Sequence, residues 1–202
     1  MMRFLALGDS FTIGEAVAEA ERWPVQLVTR LRQQDIQIND PEIIAVTGWT
    51  TDELAAGIQA TNPQGPYELV TLLIGVNNQY RGWPLDVYRK EFADLLQQAI
   101  HFANGQPEHV IVISIPDWSQ VPFAAQDKRT PAQISAEVGA FNTVNQDEAA
   151  KTAVNYIDVT TGFRQAAHNS DLVAADGLHP SGLMYAEWVE AIWPKALKIT
   201  SK

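Results

Sequence analysis

Residues 3–14 read RFLALGDSFTIG. RFLAL is a short apolar run, as a buried strand requires, and it breaks at Gly8-Asp9-Ser10 just before a helical pattern begins. Gly, Asp and Ser all favour turns, and Asp9 or Ser10 can cap the next helix. The stretch reads as a strand, a tight turn and a helix. It is one βα unit, with a serine at the carboxyl end of its strand.

The same alternation runs through the rest of the chain. RWPVQLVTRLRQQ at 22–34 predicts a helix with Pro24 in its first turn and Leu27, Val28 and Leu31 on one face. EIIAV at 42–46 predicts the second strand, and TDELAAGIQA at 51–60 a short helix capped by Thr51 or Asp52. ELVTLLIG at 68–75 predicts the third strand. A long amphipathic helix comes next at 84–103, with Val87, Phe92, Leu95, Leu96, Ala99 and Ile100 expected toward the core. HVIVISIP at 109–116 and VNYIDV at 154–159 predict the fourth and fifth strands, with helices at 131–152 and 181–197. Short, continuously apolar strands fit a parallel sheet covered on both faces. Right-handed crossovers between them give an α/β fold: a three-layer α/β/α sandwich around a five-stranded parallel sheet, flavodoxin-like in outline. One domain over 1–202 is expected, since no linker, internal repeat or low-complexity tract interrupts the pattern.

Bulk composition narrows the function. The chain has 202 residues, 46% hydrophobic and 19% charged, which is ordinary for a globular protein with a real core. Its formal net charge is -10, so phosphate backbones and anionic lipid are repelled; no nucleic-acid partner and no stable membrane association are expected. It has no cysteine, which excludes disulfides, a thiol nucleophile and thiolate metal sites. No apolar run approaches the roughly 18 residues of a membrane span. The apolar stretch at 4–7 is too short for a signal peptide, so the expected location is cytoplasmic.

In an open parallel sheet, ligands bind outside the carboxyl ends of the strands. The residues just beyond each strand are therefore decisive. These segments are Gly8-Asp9-Ser10, Thr47-Gly48-Trp49, Gly75-Val76-Asn77-Asn78, Pro116-Asp117-Trp118 and, before the last helix, Asp176-Gly177-Leu178-His179-Pro180. Together they bring a serine, a histidine, an aspartate, an asparagine and a glycine amide to one edge. That set suits acyl transfer through a serine nucleophile. A serine hydroxyl needs a base, and imidazole, with an ordinary pKa of roughly 6.5, serves at neutral pH. Asp176, three residues before His179, can hold the ring in one tautomer. The Ser10 N–H, the Gly48 N–H and the Asn77 side-chain amide are the candidate donors to an oxyanion.

These residues also resemble the blocks of the GDSL esterases and lipases of the SGNH hydrolase superfamily. GDSFT at 8–12 matches the first block, Gly48 in AVTGWTT the second, GVNN at 75–78 the third and DGLHP at 176–180 the last. They stand in the family's order and span nearly the whole chain. The resemblance implies a carboxylic-ester hydrolase without metal or cofactor, acting on a small-molecule ester. It makes Ser10 the nucleophile, His179 the base, Asp176 its orienting carboxylate, and Ser10, Gly48 and Asn77 the oxyanion hole. One residue departs from the pattern: the family usually has aspartate after the donor asparagine, and here Asn78 keeps the hydrogen-bonding shape without the charge.

Six tryptophans are many for this length. Trp23, Trp188 and Trp193 fall on helices and read as packing residues. Trp49, Trp83 and Trp118, with Asn78, are candidate walls of the substrate pocket. Of the four histidines, His101, His109 and His168 read as structural or solvated. Short acyl chains such as acetyl are the expected substrates. Two other classes use the same residues. A divalent ion on Asp9, Asp176 and His179 would make a metal-dependent hydrolase. An anion cradled by LGDSFTIG would make a non-catalytic small-molecule binding module, although the chain lacks both the P-loop and the dinucleotide glycine patterns.

Overall fold

The computed structural model describes residues 1–201. Five strands form one parallel sheet: β1 (Phe4–Gly8), β2 (Glu42–Ala45), β3 (Leu69–Leu73), β4 (Val110–Ile113) and β5 (Asn155–Ile157). Their order is β2-β1-β3-β4-β5, the flavodoxin-like order expected. Every residue of β1, β3 and β4 is buried, which is why these segments read as unbroken apolar runs. β5 is only three residues long and half-buried, as suits an edge.

The long helices are α2 (Trp23–Arg32), α3 (Thr51–Thr61), α5 (Leu85–Phe102), α6 (Pro131–Lys151) and α8 (Gly182–Thr200). The strand order reverses after β2, so right-handed crossovers divide these helices between the two faces. α2 packs on α8, while α5 packs on both α3 and α6. Local chemistry sets their ends. Pro24 sits in the first turn of α2, and α6 begins at Pro131 behind a Thr130–Gln133 capping box. Three short helices escape the periodicity reading in whole or part: α1 (Ser10–Ile13), α4 (Val76–Tyr80) and α7 (Thr160–Arg164). α4 and α7 span little more than one turn each, too few residues for a 3.6-residue pattern to show.

One expected core position is corrected. Val87 is 42% exposed, and the neighbouring Tyr88 is fully buried instead. Tyr88, Phe92, Leu95, Leu96 and Ala99 form a single helical stripe, and Val87 lies about 100° off it. Leu27, Val28 and Leu31 are buried as expected. Among the described residues, no helix is long and apolar enough to cross a membrane.

Candidate active site

The strand order reverses between β1 and β3, and the crevice at such a reversal is where α/β sheets bind ligands. Ser10 comes after β1 and Asn77 after β3, so the two flank that point. β1 ends at Gly8, and Asp9 caps α1 by accepting the Phe11 N–H at 3.0 Å. Ser10 is the first residue of α1 and is 4% exposed. Its N–H belongs to a first turn, where helices leave donors without internal partners.

Asp9 itself is fully buried, and its second carboxylate oxygen meets no partner among the described residues. Burial pushes its carboxyl up to about 7, against the opposing pull of the Phe11 N–H. It is a buttress of the turn, sealed away from the surface.

His179 stands two residues ahead of Ser181, the N-cap of α8. The chain before it folds back on itself: Ala174 N–H donates to the His179 carbonyl at 2.8 Å, and Val173 bridges Pro180. Within this loop, Asp176 is tied three times. One oxygen accepts the N–H groups of Leu178 at 2.9 Å and His179 at 3.0 Å, an Asx-type turn. The other lies 2.5 Å from His179 Nδ1. Partial burial pushes the Asp176 carboxyl up, but these three hydrogen bonds outweigh it and hold the group below its ordinary range. The loop is anchored from outside by Phe123, whose N–H donates to the Gly177 carbonyl at 2.9 Å.

Phe11 follows Ser10 in the chain and packs its ring on His179. Its ring lies 5.1 Å from the imidazole and 6.4 Å from the stacked Trp188, and its carbonyl accepts the Trp23 indole N–H at 3.1 Å. Among the described residues no hydrogen bond joins Ser10 Oγ to the ring; such bonds are often long until substrate is bound. This contact is not legible in the sequence, where Phe11 reads as one apolar helix residue.

The two other candidate donors come from facing loops. Trp49 N–H donates to the Val46 carbonyl, closing a turn in which Gly48 has φ +90°. A positive φ at this third turn position is the reason for glycine. Gly75, with φ +126°, opens α4 where a Cβ would come 2.3 Å from Tyr88 Oη. Asn77 lies two residues on, within α4. Its Nδ2 donates one proton to the Trp49 carbonyl at 2.9 Å, which fixes the amide and leaves its second proton free of that bond. Arg81 donates to the Gly48 carbonyl at 2.7 Å and pairs with Glu53 at 3.4 Å.

The candidate pocket walls separate. Asn78 is fully buried, with both ends of its amide on Thr51, and faces no open pocket. Trp118 is 2% exposed and donates to Gln79 Oε1 at 2.9 Å, so it is a pillar behind Tyr80, 5.7 Å away ring to ring. The half-buried Trp49 lays its indole against Gly57 on α3, and its carbonyl accepts from Asn77. Trp83 is half-buried just ahead of Pro84, the N-cap of α5. Asp117 is likewise structural. Burial raises its pKa, but hydrogen bonds from Ser135, Ser119 and Arg164 overcome this and lower it. Among the described residues, no group of three or more His, Cys, Asp or Glu side chains converges as a metal site, so Asp9, Asp176 and His179 do not form one.

The family model described as GDSL-like Lipase/Acylhydrolase matches residues 6–187. The chain belongs to that family. It is a carboxylic-ester hydrolase of the GDSL type, on the SGNH hydrolase fold. No curated protein matches it by sequence. Among solved structures it resembles TesA, at 19% identity over 98% of this chain and 99% of that one, with a TM-score of 0.76. It also resembles the psychrotrophic esterase EstA from Pseudoalteromonas sp., at 18% identity over 95% and 97% with a TM-score of 0.72. A third is the acetylxylan esterase Axe2 from Geobacillus stearothermophilus, at 17% identity over 96% and 94% with a TM-score of 0.70. At these identities the likeness speaks for the fold.

Proposed function

We propose that residues 1–202 act as one hydrolase domain that cleaves short-chain carboxylic esters, acetyl esters among them, through an acyl-enzyme on Ser10. The observation that carries this reading is the Asp176–His179 pair, 2.5 Å apart at Nδ1, with its imidazole packed on the ring next to Ser10. A carboxylate at Nδ1 leaves Nε2 as the basic nitrogen. Nε2 takes the Ser10 proton as Oγ bonds to the ester carbonyl carbon. The carbonyl oxygen becomes an oxyanion, which the Ser10 N–H, the Gly48 N–H and the free Asn77 Nδ2 proton stabilise. The intermediate collapses as Nε2 returns its proton to the leaving alkoxide. Water then attacks the acyl-enzyme, giving its proton to Nε2, and the acid leaves as Ser10 regains its own.

Two clefts flank the turn that carries Asp176 and His179. One of about 640 Å³ is lined by Tyr80, Phe123 and the polar run Gln126–Arg129. Another of about 840 Å³ is lined by Gln120, Asn169 and Ser170 together with Val121, Pro122 and Val173. Their mixed polar and apolar linings favour a small acyl group over a long alkyl chain. The test is hydrolysis of p-nitrophenyl acetate, butyrate and octanoate by wild type and Ser10→Ala, with and without a chelator. Chelator-resistant turnover that falls with chain length and vanishes in Ser10→Ala is expected. Turnover surviving in Ser10→Ala would overturn the mechanism.

A further inference from the structure

The departure from the family pattern at Asn78 sits in a chain of hydrogen bonds that is buried at Asn78 and Thr51 and ends on the part-buried Glu91. The direction of that chain can be read from its chemistry. The Thr51 N–H can only donate, and it donates to Asn78 Oδ1 at 3.2 Å. Asn78 Nδ2 is then turned toward Thr51 Oγ1, to which it donates at 2.8 Å. The Thr51 hydroxyl, now accepting, spends its single proton on Glu91 Oε2. The chain runs Asn78 amide to Thr51 hydroxyl to Glu91 carboxylate, from α4 through the start of α3 to α5.

This chain lies directly behind the proposed oxyanion hole. Thr51 is three residues beyond Gly48, and Asn78 is next to Asn77. The outer ties between the same two loops are the Asn77–Trp49 bond and the exposed Arg81–Gly48 bond. Only the Asn78–Thr51 pair is fully buried, where a hydrogen bond is strongest and a missing one most costly. A carboxylate at position 78 would break the chain's polarity. It would claim the Thr51 hydroxyl proton for itself and leave the Glu91 carboxylate facing it across a hydroxyl with no proton left to share.

We propose that Glu91 is a positioning residue for the oxyanion loops, matched to the amide at position 78 and acting on Asn77 and Gly48 through Thr51 and Asn78. The inference rests on the assignment of Asn77 and Gly48 as oxyanion donors.

The test is a double-mutant cycle on ester hydrolysis. In Asn78→Asp, two carboxylates contend for one proton, and kcat is expected to fall roughly ten-fold with KM little changed, since a displaced donor costs the transition state more than the substrate. Glu91→Ala, which leaves the Thr51 hydroxyl without its acceptor, is expected to do the same. Glu91→Gln alone is expected to lose about two- to three-fold, a neutral acceptor replacing a charged one. In Asn78→Asp/Glu91→Gln the chain can run backwards, from the amide now at position 91 through the Thr51 hydroxyl to the carboxylate now at position 78. That double variant is expected to recover to within about three-fold of wild type. A double variant no better than Asn78→Asp, or an unaffected Glu91→Ala, would overturn the proposal. Hydrogen exchange of the Thr51 amide gives a readout independent of turnover. It should quicken in Asn78→Asp and Glu91→Ala and slow again in the double variant; unchanged exchange in all of them also overturns the relay. Turnover persisting in Ser10→Ala would instead defeat the serine mechanism, with the exchange data still deciding the relay.

Discussion

The Asp176 carboxylate uses both of its oxygens to govern His179: one lies 2.5 Å from Nδ1 of the ring, and the other accepts the N–H of the same residue at 3.0 Å. Ring and backbone are thus fixed by a single side chain that sits three residues away. The pair depends little on the rest of the fold for its internal geometry. It depends on the fold for its location, through Phe11 at the ring and Phe123 at the turn.

Asp176→Asn should separate orientation from charge. The amide oxygen can still accept the N–H groups of Leu178 and His179, so the turn should persist. The amide nitrogen would donate toward Nδ1 and favour the tautomer that leaves Nε2 protonated and not basic. A fall in kcat on the order of a thousand-fold is expected at neutral pH, with the melting temperature nearly unchanged. Steady-state kinetics beside a thermal melt checks both halves.

Asn77→Ala removes one proposed oxyanion donor and releases the Trp49 carbonyl it holds. The expected loss is roughly a hundred- to thousand-fold in kcat, with KM changed far less. A drop confined to KM would mean that Asn77 binds substrate in the ground state.

Asp9 ties stability to pH. Its carboxyl is pushed up to about 7 by burial, from an ordinary 3.8. Between those values the folded chain holds a proton that the unfolded chain has lost, so folding stability falls as pH rises. The contribution is complete below pH 3.8 and gone once pH has risen through 7, and amounts to on the order of 4 kcal/mol over that window. Asp9→Asn cannot ionise, yet keeps an acceptor for the Phe11 N–H. Its melting temperature relative to wild type should therefore improve from pH 5 to about pH 7 and level off above that. A difference that stays flat across that range would mean the buried carboxyl does not titrate there.

Two of the positive-φ glycines, Gly48 and Gly75, should fail differently. At Gly48 a Cβ meets nothing nearer than Arg81 at 3.9 Å, so Gly48→Ala bears only backbone strain. A loss of about 1 kcal/mol is expected, or roughly 2–4 °C in a chain of this size. At Gly75 the same methyl would lie 2.3 Å from Tyr88 Oη, which donates to Asn145 Oδ1 at 2.7 Å inside the core. Gly75→Ala adds a clash to the strain and should cost about 3 kcal/mol or more. Paired thermal melts measure the order, and Gly48→Ala falling further than Gly75→Ala would contradict it.

The alternation of apolar runs with helical periods determined the sheet, its layers and the edge on which the proposed site lies. That information is local: a strand buried on both faces has to be apolar along its length, and β1, β3 and β4 are. The short spacing from Asp176 to His179 likewise carried their pairing, because a turn of four residues closes on itself. Tertiary structure decided what depends on partners far apart in the chain. Tyr88 rather than Val87 turns inward because α5 rests on α6, where Asn145 meets its hydroxyl. Trp118 and Asn78, legible as residues at a strand end, are buried supports because Gln79 and Thr51 come to meet them. Glu91 gave no local signal at all, since its partner Thr51 lies 40 positions back on another helix. A sequence carries periodicity and turn chemistry within a few residues. Which donor finds which acceptor is settled only when packing brings the elements together.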